Sequence, residues 1–367
     1  MKHTKHPSNP TRSSSLTIGI DLGDKSHETC SLNHDSEVIE RSTVLNNKEE
    51  LIRFSKANRG ATLIMEAGTH SPWISRLFQE RKHKVIVANP RKLRAIYEAD
   101  NKTDQRDAEL LARIGRFDRN LLYGIEHKSE QHQRALKIID ARDALVAARV
   151  KLVNHVRGSL KSLGIFLPSG CSTEAFARKA TDALEPGDYA LVKPVLEVIA
   201  EISAKIKAED KHIDQMIEED YPAAQKMMTI PGVGPITALA FVLIIGSADR
   251  FEKARDVGPF LGLVPGRDQS GDSDKPMRIT KAGDRMLRRL LVSCAQYTLG
   301  QFGPPSALKA TGLKTANKGA KVAKKKAVVK TARKLAVMML ALWKDPEAEY
   351  RPFPNRPIEE DQEELAA

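Results

Sequence analysis

The 367-residue chain is poor in several things, and each shortage excludes something. It has three cysteines, Cys30, Cys171 and Cys294, far apart and without any C-x-x-C pair. That argues against a disulfide framework or a thiolate metal site, and for a reducing cytoplasm. Aromatic residues make up 5% of the chain, too few for a stacking platform to dominate single-strand binding. The longest apolar stretch, Ile236 to Gly246, is too short to span a bilayer. Residues 1–15 are polar and Pro/Ser-rich, with no signal-peptide core. The expectation is a soluble, cytoplasmic protein with a disordered first segment. The ten histidines are scattered, and there is no H-E-x-x-H or Cys/His ligand cluster. Without G-x-x-x-x-G-K-[ST], ATP-driven chemistry is not expected either.

What is present is positive charge, unevenly spread. The net charge is +12. Residues 307–334 hold ten Lys or Arg and no acid, whereas residues 345–367 hold eight acids against two Arg. A basic body followed by an acidic tail favours a polyanionic partner, with counterion release supplying affinity.

The chain reads as three regions between its tails. In residues 16–120 strands and helices alternate: three strands, a helix, a strand, a helix, a strand and a helix. A mixed sheet flanked by helices fits that order. Residues 125–222 read as two long helices, about Ser129 to Leu163 and Gly187 to Glu219, joined by a loop containing Pro168-Ser-Gly170. Such an arm serves as a spacer or a dimerisation element. Residues 223–344 form a third, mainly helical region. Its Ala/Lys segment is of low complexity and is expected to be helical only when bound.

Four carboxylates carry the chemistry. Asp21 ends the apolar-alternating run Leu16-Thr-Ile-Gly-Ile-Asp21, and Glu66 ends Ala61-Thr-Leu-Ile-Met-Glu66. An acid closing an apolar strand is costly unless it is paired or metal-bound. Asp104 and Asp107 stand three apart, neighbours on one helical face. A two-metal phosphoryl-transfer site needs several acids converging from different elements, and Mg²⁺ (or Mn²⁺) takes oxygen ligands. Gly19 and Gly23 around Asp21 leave room for a phosphate backbone.

The third region holds two further signals. Thr229-Ile-Pro-Gly-Val-Gly-Pro-Ile-Thr-Ala238 matches a helix-hairpin-helix pattern, in which Gly232 and Gly234 let backbone N–H groups meet a phosphate. The other reading is an ordinary turn before a buried helix. Further on, a polar loop carries Ser270 and Ser273, and Lys281, Arg285, Arg288 and Arg289 follow within reach of phosphates. On chemistry alone Ser270 is one loop serine among many, because no nearby histidine activates it. A metal-dependent junction-resolving nuclease and a non-catalytic basic nucleic-acid binder both remain open on these residues.

The ordered set G-I-D-L-G-D-K-S-H, L-I-M-E-A, K-T-D-Q-R-D-A, I-P-G-V-G-P-I-T-A, L-G-L-V-P and S-G followed by I-T-K-A-G-D-R-M-L-R-R-L-L resembles the DEDD-type insertion-sequence transposases. The resemblance runs over about residues 16–300. It implies an RNase H-like (RuvC-like) α/β domain, a coiled-coil-like helical arm and a mainly α C-terminal transposase domain. It implies that Asp21, Glu66, Asp104 and Asp107 bind the metal and that Ser270 is a nucleophile forming a phosphoserine link to DNA. It implies donor and target DNA, a structured bridge RNA as guide, and a homodimer or homotetramer in which one subunit's acids join another's serine. The S-G-D-S-D stretch departs from the more basic or glycine-rich run of many relatives. Ser273 is a lesser candidate there.

Overall fold

The computed structural model describes residues 16–93, 103–270, 273–319 and 321–354, without the side chains of 270 and 273–276. The first tail and most of the acidic tail therefore lie outside the described residues. The chain divides into two compact units, 1–127 and 128–367.

The first unit begins with β1 (Thr17–Leu22), β2 (Ser26–Leu32) and β3 (Val38–Leu45). There follow α1 (Lys48–Ala57), β4 (Thr62–Glu66), α2 (Ser71–Glu80), β5 (Lys84–Ala88), α3 (Pro90–Leu93) and α4 (Asp104–Phe117). The five strands form one sheet in the order β3-β2-β1-β4-β5. β1, β2 and β3 pair antiparallel, while β1, β4 and β5 run parallel. This mixed sheet is consistent with the RNase H-like domain the sequence implies.

Side-chain alternation sorts the sheet into two faces. Ile18, Ile20, Leu63, Met65 and Val87 face one way and pack with Leu51 of α1 and Ile74, Leu77 and Phe78 of α2. Ile64 and Ala88 face the other way and pack with Leu111 and Ile114 of α4. With both faces covered, Thr62–Met65 are all buried, which is why β4 reads as a continuous apolar run. Each such side chain contributes about 1.5–3 kcal/mol when taken fully from water. Asn47 caps α1 by accepting the Glu50 N–H at 2.9 Å, and the Thr103 hydroxyl caps α4 by accepting the Arg106 N–H at 3.3 Å.

The second unit opens with α5 (Glu130–Lys161), α6 (Phe176–Ala183) and α7 (Pro186–Asp220). Arg142 pairs with Asp210, and the Arg149 guanidinium donates to Ser203 Oγ at 3.1 Å. Seven residues forward on α5 are thus seven residues back on α7, so the helices are antiparallel. Buried Ala135, Ile139, Arg149, Val153, Val156 and Leu160 of α5 follow a 3-4 spacing, as do Val192, Leu196, Ile199, Ile206, Ile213 and Ile217 of α7. That is a coiled-coil seam, and its two polar layers, Arg142–Asp210 and Arg149–Ser203, fix its register. The connection is more than the expected loop: α6 lays Phe176, Ala177 and Ala180 against the seam.

The remaining elements are α8 (Pro222–Met228), α9 (Pro235–Ile245), α10 (Val257–Phe260), β6 (Pro265–Ser270), β7 (Ser273–Ile279), α11 (Arg285–Leu299), α12 (Ala307–Ala316) and α13 (Lys321–Lys344). α9 is buried on all sides from Thr237 to Ile245 and is the centre of the core. Two expectations are corrected here. The stretch leading to Ser270 is a strand of a two-stranded antiparallel ribbon rather than a loop. The Ala/Lys segment is helical in the chain by itself, because Ala327, Thr331, Ala332, Leu335 and Ala336 form a buried stripe along α13. Among the described residues no helix is long and apolar enough to cross a membrane.

Candidate active site

Asp21 and Glu66 come from neighbouring parallel strands. The register pairs Ile18 with Leu63, Gly19 with Ile64 and Ile20 with Met65, so Asp21 and Glu66 are the next residues along. Both lie on the face covered by α4. Asp21 shares its side of β1 with Gly19, and Glu66 shares its side of β4 with Ile64.

Gly19 is the reason α4 lies so close. A Cβ there would stand 2.0 Å from the Ala108 carbonyl oxygen and 2.6 Å from the Ala112 nitrogen. The helix direction follows from three contacts on its far side. Arg41 donates to Glu109 at 2.7 Å, Arg113 to the Ser36 carbonyl at 3.4 Å and Arg116 to the His34 carbonyl at 2.6 Å. The helix therefore runs toward the β2–β3 turn, which lies at the starting end of β1. Its first turn, with Asp104 and Asp107, lies toward the Asp21 and Glu66 end. Asp104 is exposed and the other three acids are half-buried. The Arg41 hydrogen bond, and then Arg113, hold the Glu109 carboxyl below the usual carboxylate range.

The backbone thus brings the four acid-bearing positions to one end of one face. The carboxylates themselves are not drawn together: among the described residues no three His, Cys, Asp or Glu side chains are grouped as a metal would need. Their donor set is all carboxylate oxygen, which fits a hard divalent cation. A fifth acid escaped the sequence reading. Glu28 pairs with Asp21 across β1 and β2, and accepts a hydrogen bond from Thr43 Oγ1 at 2.8 Å. Only the strand register reveals it, since a mid-strand Glu carries no local signal.

On the opposite face of the sheet His27 is fully buried. Burial pushes its pKa below the ordinary 6.5, with Asn46 opposing and the charge of His70 adding.

In the second unit Ser270 pairs with Ser273 at the end of the β6–β7 ribbon. Its side chain lies outside the described residues. The root of the ribbon is tightly built. Gly262 has φ +67°, and a Cβ there would stand 2.2 Å from the Ala282 nitrogen. A Cβ on Gly283 would stand 2.1 Å from the Phe260 carbonyl oxygen. Arg288 Nη1 lies across this junction and donates to the carbonyls of Gly283 at 2.6 Å, Leu261 at 3.3 Å and Ala282 at 3.4 Å. The guanidinium expected on phosphate thus also meets the ribbon's base. Arg289 is exposed and pairs with Asp143 at 2.7 Å, while Arg285 and Lys281 are exposed near the α11 N-terminus.

The glycine turn before α9 has a structural task of its own. Gly232 takes φ +88°, and a Cβ would stand 2.6 Å from the Tyr297 ring. Gly234 caps α9 and has open space around it.

Comparison with known proteins gives the family. A family model of DEDD transposases, described as "Transposase", matches residues 18–165. A second, described as "Transposase IS116/IS110/IS902 family", matches residues 224–310. The transposase for insertion sequence element IS1328 of Yersinia enterocolitica is 29% identical, over 76% of this chain and 82% of its own. The transposase for IS1111A of Coxiella burnetii is 26% identical, over 77% of each. The pilin gene-inverting protein of Moraxella lacunata is 25% identical over 92% of this chain and 98% of its own. The DEDD domain implies a divalent-metal requirement, and the family implies DNA as substrate. The chain belongs to the IS116/IS110/IS902 transposases and is a DNA transposase/recombinase.

Proposed function

We propose that the chain cuts and rejoins DNA through a serine-linked intermediate, with Asp21, Glu66, Asp104 and Asp107 as one half of the site and Ser270 as the other. The observation that carries the first half is geometric. Two strand ends in register and the first turn of the helix docked on Gly19 bring the four acid-bearing positions to one end of one face. These acids would hold Mg²⁺ or Mn²⁺, whose chemistry is to polarise the scissile phosphate and offset charge on its oxygens. Ser270 Oγ attacks phosphorus and loses its proton. The bond to the leaving sugar oxygen breaks, and that oxygen leaves as a hydroxyl. A sugar hydroxyl of the partner strand then attacks the phosphoserine and returns the serine. One phosphodiester is exchanged for another, so no external energy source is needed.

Two further observations support rejoining over hydrolysis. The Moraxella relative is named for inverting a gene, and inversion requires that cut ends be joined. The ribbon bearing Ser270 is fastened at its base by two close glycine contacts and Arg288, as a positioned nucleophile requires. A bridge RNA pairing with donor and target DNA would choose the sites. The α5–α7 arm would join subunits as a homodimer or homotetramer. Gly232, Gly234 and the α9 N-terminus, as a helix-hairpin-helix element, would contact a DNA backbone, with Lys281, Arg285, Arg288 and Arg289 on phosphates.

The test is the protein–DNA adduct on a DNA substrate carrying the element's end. Wild type with Mg²⁺ should give a covalent adduct, and Ser270→Ala none, while Ser273→Ala keeps it. An adduct persisting in Ser270→Ala would overturn the nucleophile. Free cleaved ends with no adduct in wild type would make the chain a hydrolytic nuclease.

A further inference from the structure

Charge is distributed differently on the long helices of the second unit. α7 carries nine acids against four lysines. α5 pairs several of its cations with acids, as in Arg134–Glu130 and Lys137–Asp140. α13 carries eight cations and no acid, and no acid occurs anywhere from 307 to 344. Lys321, Lys324, Lys325, Lys326, Lys330 and Lys334 are all exposed. Lys321 and Lys325, Lys326 and Lys330, and Lys330 and Lys334 are like charges four apart, an arrangement that destabilises a helix.

The face is held rigidly. The opposite side of α13 is sealed into the core by Ala327, Thr331, Ala332, Leu335 and Met339. α12 locks beside it: a Cβ on Gly312 would stand 2.7 Å from Thr331 Oγ1, and Lys330 Nζ donates to Thr315 Oγ1 at 3.2 Å. This brings exposed Lys314 to the same neighbourhood. A fixed array of mutually repelling cations with no acid in its own sequence calls for a polyanion.

We infer that the lysine face of α13 is a docking surface for the phosphate backbone of duplex DNA. It lies beyond residue 310, where the family match ends. No aromatic residue occurs between Phe302 and Trp343, so there is no stacking platform for unpaired bases. The exposed cations are lysines, which act as point charges and lack the fork that reads guanine bidentately. From Lys321 to Lys334 the helix rises about 20 Å, a length of duplex carrying on the order of a dozen phosphates. The surface would hold DNA flanking the exchange site without regard to sequence.

The test uses the full chain with Lys321, Lys324, Lys325, Lys326 and Lys334 changed to Gln, leaving Lys330 to bridge α12. Binding to a DNA duplex without element sequence is measured across salt concentrations. The slope of log affinity against log salt should fall by about 4, and affinity at physiological salt at least tenfold. An unchanged slope, or a loss confined to duplex RNA, overturns the inference. Should the variant fold poorly, wild type is acylated at its amines with and without the duplex. Protection of these five lysines supports the surface, and none contradicts it. Neither readout needs Ser270, so failure here leaves the proposed reaction standing, and the reverse holds.

Discussion

The acid-bearing end of the sheet and the serine-bearing ribbon are held in different ways. Asp21 and Glu66 sit one residue beyond Ile20 and Met65, which are almost completely buried. α4 is pressed onto Gly19 by Ala108 and Ala112, so its first turn has little freedom of placement. The ribbon is built differently. Arg267, Asp268 and Gln269 are exposed on β6, and its base is fastened by Gly262, Gly283 and Arg288. A site half built on buried strands resists displacement, whereas a half carried on a ribbon is as precise as its root. Damage to the first should therefore register as lost stability, and damage to the root as lost reaction.

The largest effect expected is chemical. Asp21→Asn or Glu66→Gln should lower DNA cleavage by about 10³-fold or more while DNA binding persists, since each removes a ligand charge without a change of shape. Cleavage within tenfold of wild type would remove that residue from the site. Next comes the ribbon's root. Arg288→Lys keeps the charge, but its ammonium on a shorter stem does not reproduce the reach of Nη1 to three carbonyls. Strand exchange should fall by about 10–100-fold with the salt dependence of DNA binding unchanged. A reaction unharmed by Lys would return Arg288 to a simple phosphate contact.

The stability side of the comparison is tested at Gly19. An alanine there collides with α4 backbone and should destabilise the first unit by about 3 kcal/mol, as overpacking does. Its melting temperature should fall on the order of 10 °C, read by calorimetry. A wild-type melting temperature would mean that α4 is not seated as described. The smallest effect concerns His27. Its folded pKa lies below 6.5, so below that pH the unfolded chain binds a proton that the folded chain does not. First-unit stability, followed by urea titration, should decline as pH falls from about 6.5 toward the folded pKa, then level off. His27→Gln should flatten that window.

How much the sequence disclosed follows the same division. β1 and β4 advertise themselves by alternation and by an unbroken apolar run, and the acid that breaks each pattern stands out. The α5–α7 seam is legible because its heptads are filled by Ile, Leu and Val. α6 escapes because its buried face is largely alanine, which leaves weak periodicity. The lysine-rich first half of α13 is obscured in the same way, its stripe of Ala and Thr lying among lysines. β6 is polar along its length and β7 carries few apolar residues, so period-2 reasoning finds little to grip. The close backbone contacts of Gly262 and Gly283 arise between segments twenty residues apart. Glu28 and the inward turn of Arg288 depend on register and tertiary contact, which no local pattern carries.

The most direct measurement is the chemical identity of the protein–DNA link. Wild-type protein is trapped on an element-end substrate in Mg²⁺, digested with protease and nuclease, and its nucleotide-bearing peptide sequenced by mass spectrometry. The account predicts a nucleotide joined through phosphate to Ser270. A nucleotide on any other side chain, or cleaved DNA with no modified peptide, would contradict it.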